Sequence, residues 1–368
     1  MNNPLFGSLF SFFVMKHLLS ICAFAALAAG AQAQNAVELK QVSMGRWGIG
    51  SAQYSGIAPM GGNRYAVVSD KEPKDGFFIF RIDQHPATGE VTSVYLEAFK
   101  GNPSPHVNAA GISLRDCEGV AYVPSTNTVF ISGEGDQQIL EYSIDGVPTG
   151  RKLNVPAIFA AGNIVHNYGF EALTYSDATH RFWTTTESML PIDGKAAGPL
   201  NPKSQNLLRL QAFSENLQPV TQYAYRMDLG RQDDFGETYV YGVPELLAMP
   251  DGRLLVLERE ANITKGGLSS QCRCKLYEVN PNQGFQIDSS ISLPQLDPNK
   301  FLVKKLLADW KTVVQPVRLN FANYEAMCLG RTLNDGRRTL LLLSDSQGGY
   351  RKGPFHLKDY IKVIILGN

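Results

Sequence analysis

The sequence predicts an all-β chain folded as a β-propeller, and three observations carry that expectation. A hairpin phrase with an acid at each open end recurs along the chain, strand-like runs come in groups of four, and aromatic and turn-forming residues are plentiful. The clearest copy of the phrase runs Asp116-Cys117-Glu118-Gly119-Val120-Ala121-Tyr122 and returns as Thr128-Val129-Phe130-Ile131 into Ser132-Gly133-Glu134. Other copies pair Gly169-Phe170-Glu171-Ala172-Leu173 with Phe182 to Glu187, Pro244-Glu245-Leu246-Leu247 with Leu254 to Glu258, and Tyr324-Glu325-Ala326-Met327 with Leu340 to Asp345. The earliest copy, Tyr54-Ser55-Gly56-Ile57 with Tyr65 to Asp70, carries Ser where the others carry Glu.

Each hairpin opens a unit of further strands. In the first unit, Phe77 to Asp83 and Val91 to Leu96 follow the hairpin, with a turn at Thr88-Gly89. In the second, Ile139 to Ile144 is the third strand, Asp145-Gly146 the turn, and Arg151 to Phe159 a weak fourth strand. The third unit holds a Gly/Pro-rich insertion, Pro191 to Ser204, before Leu207 to Leu210 and Val220 to Tyr225. The fourth turns at Asp251-Gly252, carries an insertion around Lys265-Gly266-Gly267, and continues with Lys275 to Val279. Its last segment, Phe301 to Leu307 with Trp310, fits a fourth strand and an amphipathic helix equally. The fifth unit turns at Asp335-Gly336 and ends in Tyr360 to Ile365, one strand short.

The alternating segment within residues 36–47 is a strand without a unit, so it is expected to complete the last blade and close the ring. Five four-stranded repeats are counted, and a sixth blade of irregular sequence stays open. Two packed sandwiches are the competing architecture, but they give no reason for acids to recur at matching hairpin positions.

The first 33 residues read as an export segment. Lys16-His17 precedes an apolar stretch from Leu18 to Ala29, and Ala31-Gln32-Ala33 has the small-x-small cleavage pattern. Met15 is the expected start, with residues 1–14 as an upstream extension. A membrane anchor is the rival reading, but the apolar runs on either side of Lys16-His17 fall short of the ~20 residues of a span. The remainder, 34–368, is expected to be one propeller domain, periplasmic or secreted and monomeric. Its charges nearly balance, which removes any bulk attraction to nucleic acid. Four cysteines follow the cleavage point, and their pairing is open. Cys272-Arg273-Cys274 is expected as half of a loop staple; Cys117 and Cys328 are expected in the core.

In a hairpin, the start of one strand lies beside the end of the next. Both acids of every phrase should therefore emerge at one end of the propeller. Glu118, Glu171, Glu245 and Glu325 would form an inner circle, with Asp70, Glu134, Glu187, Glu258 and Asp345 just outside. Such crowding demands compensation, and oxygen-rich sites suit Ca²⁺ or Mg²⁺. The competing reading is a structural circle, with each acid held by backbone N–H groups or by a neighbour such as Arg259. His106, Asn108, His166, Asn167 and Asn323 fall just before repeat starts or in loops leading to them and could join the mouth, and Arg115, Arg226, Arg259 and Arg351 could bind an anionic group. The chain has no Gly-x-Ser-x-Gly elbow, no His-Glu-x-x-His helix and no phosphate-binding glycine loop.

At these residues the chain resembles the family called esterase-like activity of phytase, over about residues 50 to 365. The resemblance lies in Asp116-x-Glu118-Gly119, Gly169-Phe170-Glu171-Ala172-Leu173, Tyr223-Ala224-Tyr225, Leu255-Val256-Leu257-Glu258-Arg259, and Asp335-Gly336-Arg337-Arg338-Thr339-Leu340 with Ser344-Asp345. The chain departs from the pattern where Glu-Ala and Glu-Leu replace Glu-Gly and where Ser346-Gln347 follows Ser344-Asp345. A fainter similarity runs to calcium-dependent lactonase and paraoxonase propellers. The resemblance implies an exported propeller with an ester or phosphate ester as its small-molecule substrate. The expected metal ligands are Glu118, Glu171, Glu245 and Glu325, around a divalent cation such as Ca²⁺. Glu134 or Glu187 would be the general base, and Arg259 would orient an anionic group or pair with the acids. The alternative is a non-catalytic propeller that binds a glycan, peptide or protein at the same mouth.

Overall fold

The computed structural model describes residues 36–198, 201, 204–230, 236–316, 318–352 and 355–367. The export segment expected within 1–33 and part of the insertion expected at Pro191 to Ser204 lie outside the described residues. Five antiparallel sheets form five blades, and their first strands neighbour one another in ring order. Blade one is Tyr54–Gly61, Arg64–Ser69, Gly76–Gln84 and Val91–Gly101. Blade two is Cys117–Val123, Thr128–Gly133, Gln138–Ser143 and Pro148–Lys152. Blade three is Phe170–Ser176, Arg181–Thr186, Leu207–Ser214 and Pro219–Arg226, edged by Gln286–Ile287. Blade four is Thr238–Ala248, Leu254–Ile263, Gln271–Val279 and Lys304–Gln315, edged by Arg318–Leu319. Blade five takes Asn323–Thr332, Arg338–Asp345 and Tyr360–Leu366 from the C-terminal part of the chain.

Its fourth strand comes from the other end. Ala36–Glu38 pairs antiparallel with Tyr360–Leu366, and Val42–Ser43 extends the pairing, so the ring closes as expected. The sixth blade does not occur among the described residues. The segment left open between strand and helix is a strand, Lys304–Gln315, because Ala308, Trp310, Thr312 and Val314 alternate inward. No helix among the described residues is long and apolar enough to cross a membrane.

The core lies between blades rather than within any one of them. Leu257, Trp310, Tyr324 and Leu342 join blades four and five, and Tyr54, Phe80, Leu343 and Val363 join five and one. Val68, Phe77, Val120 and Val129 join blades one and two; Phe130, Phe170 and Phe182 join two and three; Tyr225, Tyr241 and Leu246 join three and four. Each sheet is apolar on both faces for this reason. Cys272 and Cys274 correct the loop-staple expectation. Both lie on the third strand of blade four, two residues apart and hence on one face, buried as free thiols in the core against blade five. Cys117 and Cys328 are likewise buried and free.

Candidate functional site at the propeller mouth

Every first strand carries a β-bulge at the same level. The register slips between Tyr54 and Gly56, Cys117 and Val120, Phe170 and Ala172, Gly242 and Glu245, and Tyr324 and Ala326. A bulge inserts one residue and re-aims its side chain. In the five blades the re-aimed residues are Ser55, Glu118, Glu171, Val243 and Glu325. The glycine that follows in blades one and two is set by close approach. A Cβ on Gly119 would sit 2.4 Å from the Glu171 carbonyl oxygen, and one on Gly56 would sit 2.4 Å from that of Glu118. At Gly56 and Gly119 the adjacent first strands are packed too closely for any side chain.

The bulges surround a cavity of about 810 Å³ at the ring mouth. Ser55, Asp70, Lys71, Glu118, Glu134, Glu171, Glu187, Arg259, Asn323 and Glu325 line it, as do His166, Asn167, Tyr168, Gln347 and Tyr350. Glu118, Glu134, Glu171, Glu187, Arg259 and Glu325, all expected at the mouth, are therefore brought together. Glu245 is not. It stands two residues beyond the bulge residue Val243, level with Leu173 and Met327, and is 1% exposed. Its carboxylate accepts N–H bonds from Leu173 at 3.3 Å and Leu246 at 2.9 Å, and from Met327. It ties three first strands together inside the ring. Glu258 is also turned away, accepting hydrogen bonds from Tyr225 at 2.7 Å and Lys304 at 2.6 Å. Of the other loop candidates, Arg115 is spent on Asp136 at 2.6 Å and Arg226 lies over the Phe301 ring at 4.2 Å.

The acids at the mouth differ in what compensates them. Arg259, 4% exposed, reaches the site from the second strand of blade four. It donates to Glu187, to Glu325 Oε1 at 3.0 Å and to Asn323 Oδ1 at 2.6 Å. Lys71 donates to Asp116 Oδ1 at 2.5 Å and pairs with Asp70 at 3.0 Å. Asp345 accepts from Gln347, and Glu134 accepts the Gly169 N–H at 2.8 Å. Glu118 and Glu171 stand apart: neither side chain makes a hydrogen bond or ion pair among the described residues.

Burial pushes the carboxyls of Glu118 and Glu171 well above the ordinary range, and like charges add to it, chiefly Glu171 on Glu118 and Glu187 on Glu171. Burial also raises Glu134 to about 7 against the pull of the Gly169 N–H. It raises Asp345 to about 7 against Gln347. Glu187 and Glu325 are raised by burial while the Arg259 guanidinium opposes the shift. One oxygen each from Glu118, Glu134 and Glu171 lie within 4.8 Å of one another, and so do one each from Asp70, Asp116 and Glu118. These are spacings at which oxygen donors could share a divalent cation.

Motif reading passed over Lys71 and gave Asp116, though it opens the blade-two phrase, no place at the site. Lys71 follows the Ser69-Asp70 strand end, and Asp116 enters blade two with a left-handed backbone, φ 52°. Their adjacency to two of the repeated acids was the available signal.

The family model described as phytase-like, esterase-like activity of phytase, matches residues 49–347. Comparison with curated proteins returns no match. Among solved structures, an endo-arabinase from Bacteroides thetaiotaomicron is similar at 13% identity and TM-score 0.45, over 90% of this chain and 98% of that one. A β-xylosidase/α-arabinofuranosidase from a compost metagenome, at 9% identity and TM-score 0.43, covers 90% and 94%. A luciferin-regenerating enzyme, at 11% identity and TM-score 0.39, covers 89% and 96%. At these identities and TM-scores the neighbours carry no inference for this chain. The extent of the family match is decisive, and the chain belongs to the phytase-like family described as esterase-like activity of phytase.

Proposed function

We propose that the protein is an exported, divalent-cation-dependent hydrolase of an ester or phosphate ester, acting at the propeller mouth. One observation carries the reading: Glu118, buried, and Glu171, half-buried, face a solvent-connected cavity with no side-chain partner among the described residues. Unpaired buried charge costs several kcal/mol, and a cation held between such groups removes that cost. Glu118 and Glu171 would hold the ion, with an oxygen of Glu134 completing the triad. Ca²⁺ is the ion we favour, since the donors are all carboxylate oxygens. A bound divalent cation supplies Lewis acidity toward an ester oxygen and toward water.

The chain's own groups supply the rest. Glu134, with Oε1 accepting the Gly169 N–H, stands at the cavity and is placed to accept a proton from a water at the open side of the triad. Glu187, expected as the alternative base, is committed to Arg259. Arg259 holds Glu187 and Glu325 in place and sets one positive charge against the two carboxylates. The apolar leader within 1–33 supports export.

The test is hydrolysis of a p-nitrophenyl ester and phosphate panel, with Ca²⁺ binding measured in parallel by calorimetry. Chelator and Glu171→Gln should each abolish both turnover and binding. Turnover that survives both removes the metal mechanism. Tight Ca²⁺ binding without turnover of any ester would instead make the mouth a binding site for a glycan, peptide or protein.

A further inference from the structure

The two carboxylate triads at the mouth share Glu118 but are not equivalent. Into the Asp70–Asp116–Glu118 triad the chain sends its own cation. Lys71 Nζ lies 2.5 Å from Asp116 Oδ1 and 3.0 Å from Asp70 Oδ2. No Lys, Arg or His among the described residues makes an ion pair with a member of the Glu118–Glu134–Glu171 triad. Glu118, 6% exposed and lining the cavity, forms the edge common to both. Asp70 and Asp116 come from different blades, so the Lys71 ammonium also bridges the blade one exit to the blade two entry.

We propose that Lys71 is the standing occupant of a latent second metal site, and that its ammonium keeps the mouth to a single divalent cation. The inference rests on the cation reading given above for Glu118, Glu134 and Glu171. A tethered ammonium next to a shared carboxylate competes with a free ion at very high effective concentration. It needs no loading from solution, and it places one positive charge where a second divalent ion would place two. The Lys71 side chain is 45% exposed, so its stem is not part of the core and a neutral side chain of similar length can replace it. Asp70 and Asp116 would then face each other and Glu118 without a counter-charge. Three oxygen donors within 4.8 Å of one another are a suitable start for a second Ca²⁺ or Mn²⁺.

The experiment compares Mn²⁺ stoichiometry and electron paramagnetic resonance for the full-length protein and for Lys71→Met, with folding of both checked by thermal unfolding. The wild type should bind one ion at the mouth and show an isolated Mn²⁺ signal. Lys71→Met should bind one ion more, with an exchange-coupled pair signal because Glu118 touches both sites. The added ion should vanish in Lys71→Met/Asp116→Asn while the first remains. Equal stoichiometry in wild type and Lys71→Met overturns the proposal, as does a coupled pair in the wild type. The failures are separable. A wild type that binds no Mn²⁺ at the Glu118–Glu134–Glu171 triad sinks the cation reading itself, while one bound ion in both proteins sinks only the role of Lys71.

Discussion

Removing divalent cations should make the protein lose stability as pH rises through neutrality, the reverse of what paired carboxylates usually do. Glu134 is raised from 4.5 to about 7 and Asp345 from 3.8 to about 7. A carboxyl whose folded pKa is raised keeps its proton in the native state after the unfolded chain has released it. Its contribution is therefore complete below the unfolded value and is lost as pH climbs through the folded one. At ~1.4 kcal/mol per tenfold, Glu134 accounts for about 3 kcal/mol and Asp345 for about 4 kcal/mol. Part of the Asp345 share is already lost by pH 5, and both groups belong to one crowded mouth, so the contributions do not add; a loss on the order of 3 kcal/mol between about pH 5 and pH 8 is expected. A cation that binds only the folded protein returns about 2.7 kcal/mol at ~100 times its Kd, and more of it at high pH, where it no longer competes with protons. The assay is guanidinium unfolding at about pH 5 and about pH 8, each with chelator and with Ca²⁺. A chelated protein as stable at the higher pH as at the lower one refutes the reasoning. Equal stabilisation by Ca²⁺ at both values does so too.

Three further substitutions separate the mouth from its supports. Glu245→Ala removes the acceptor for the N–H groups of Leu173, Leu246 and Met327, so denaturant unfolding should show a loss of about 3–5 kcal/mol; at temperatures where the variant is folded, calorimetry should find Ca²⁺ affinity nearly unchanged. Arg259→Met leaves Glu187 and Glu325 buried without a counter-charge, with an expected loss of about 3–5 kcal/mol at neutral pH that shrinks on acidification. Gly119→Ala sets a Cβ 2.4 Å from the Glu171 carbonyl oxygen, so the strands must part; a cost of at least ~1–3 kcal/mol and weaker Ca²⁺ binding should appear together in the two assays.

The repeated hairpin and the unpaired strand at 36–38 made the propeller and its closure legible, because both depend on period-2 patterning that survives in a single sequence. The position of Glu245 was not legible. Pro244-Glu245-Leu246 sets a Glu ahead of an apolar run as the other entries do, yet the bulge falls on Val243, and a one-residue insertion leaves no mark in hydrophobic alternation. The segment around Trp310 shows the same limit from the other side: Leu306, Leu307 and Trp310 share helical spacing, and only pairing with Gln271–Val279 settles it as a strand. Lys71 was missed because a lysine after a strand end ordinarily points to solvent. Only the approach of Asp116 from the next blade gives it a partner.

Recurrence of the acids could not decide between a structural circle and a cation site, but their partners narrow the question. A purely structural circle requires every acid to be compensated by the chain. Arg259 compensates Glu187 and Glu325, Lys71 compensates Asp70 and Asp116, Gln347 holds Asp345, and the Gly169 N–H holds one oxygen of Glu134. Blade four, with Val243 at its bulge, contributes no inner acid and lends Arg259 instead, so neutralisation is concentrated on its side of the ring. The deficit is left between blades two and three, where Glu118 and Glu171 adjoin. Without a cation, charging both side by side in a buried setting costs several kcal/mol, so at neutral pH protons must remain on the pair. With a cation the protons leave. Infrared spectra of ¹³C-Glu-labelled protein at about pH 7 should therefore lose protonated-carboxyl absorption when Ca²⁺ is added, and Glu118→Gln/Glu171→Gln should remove most of that change. A spectrum indifferent to Ca²⁺ would leave the pair as part of the ring's structure and nothing more.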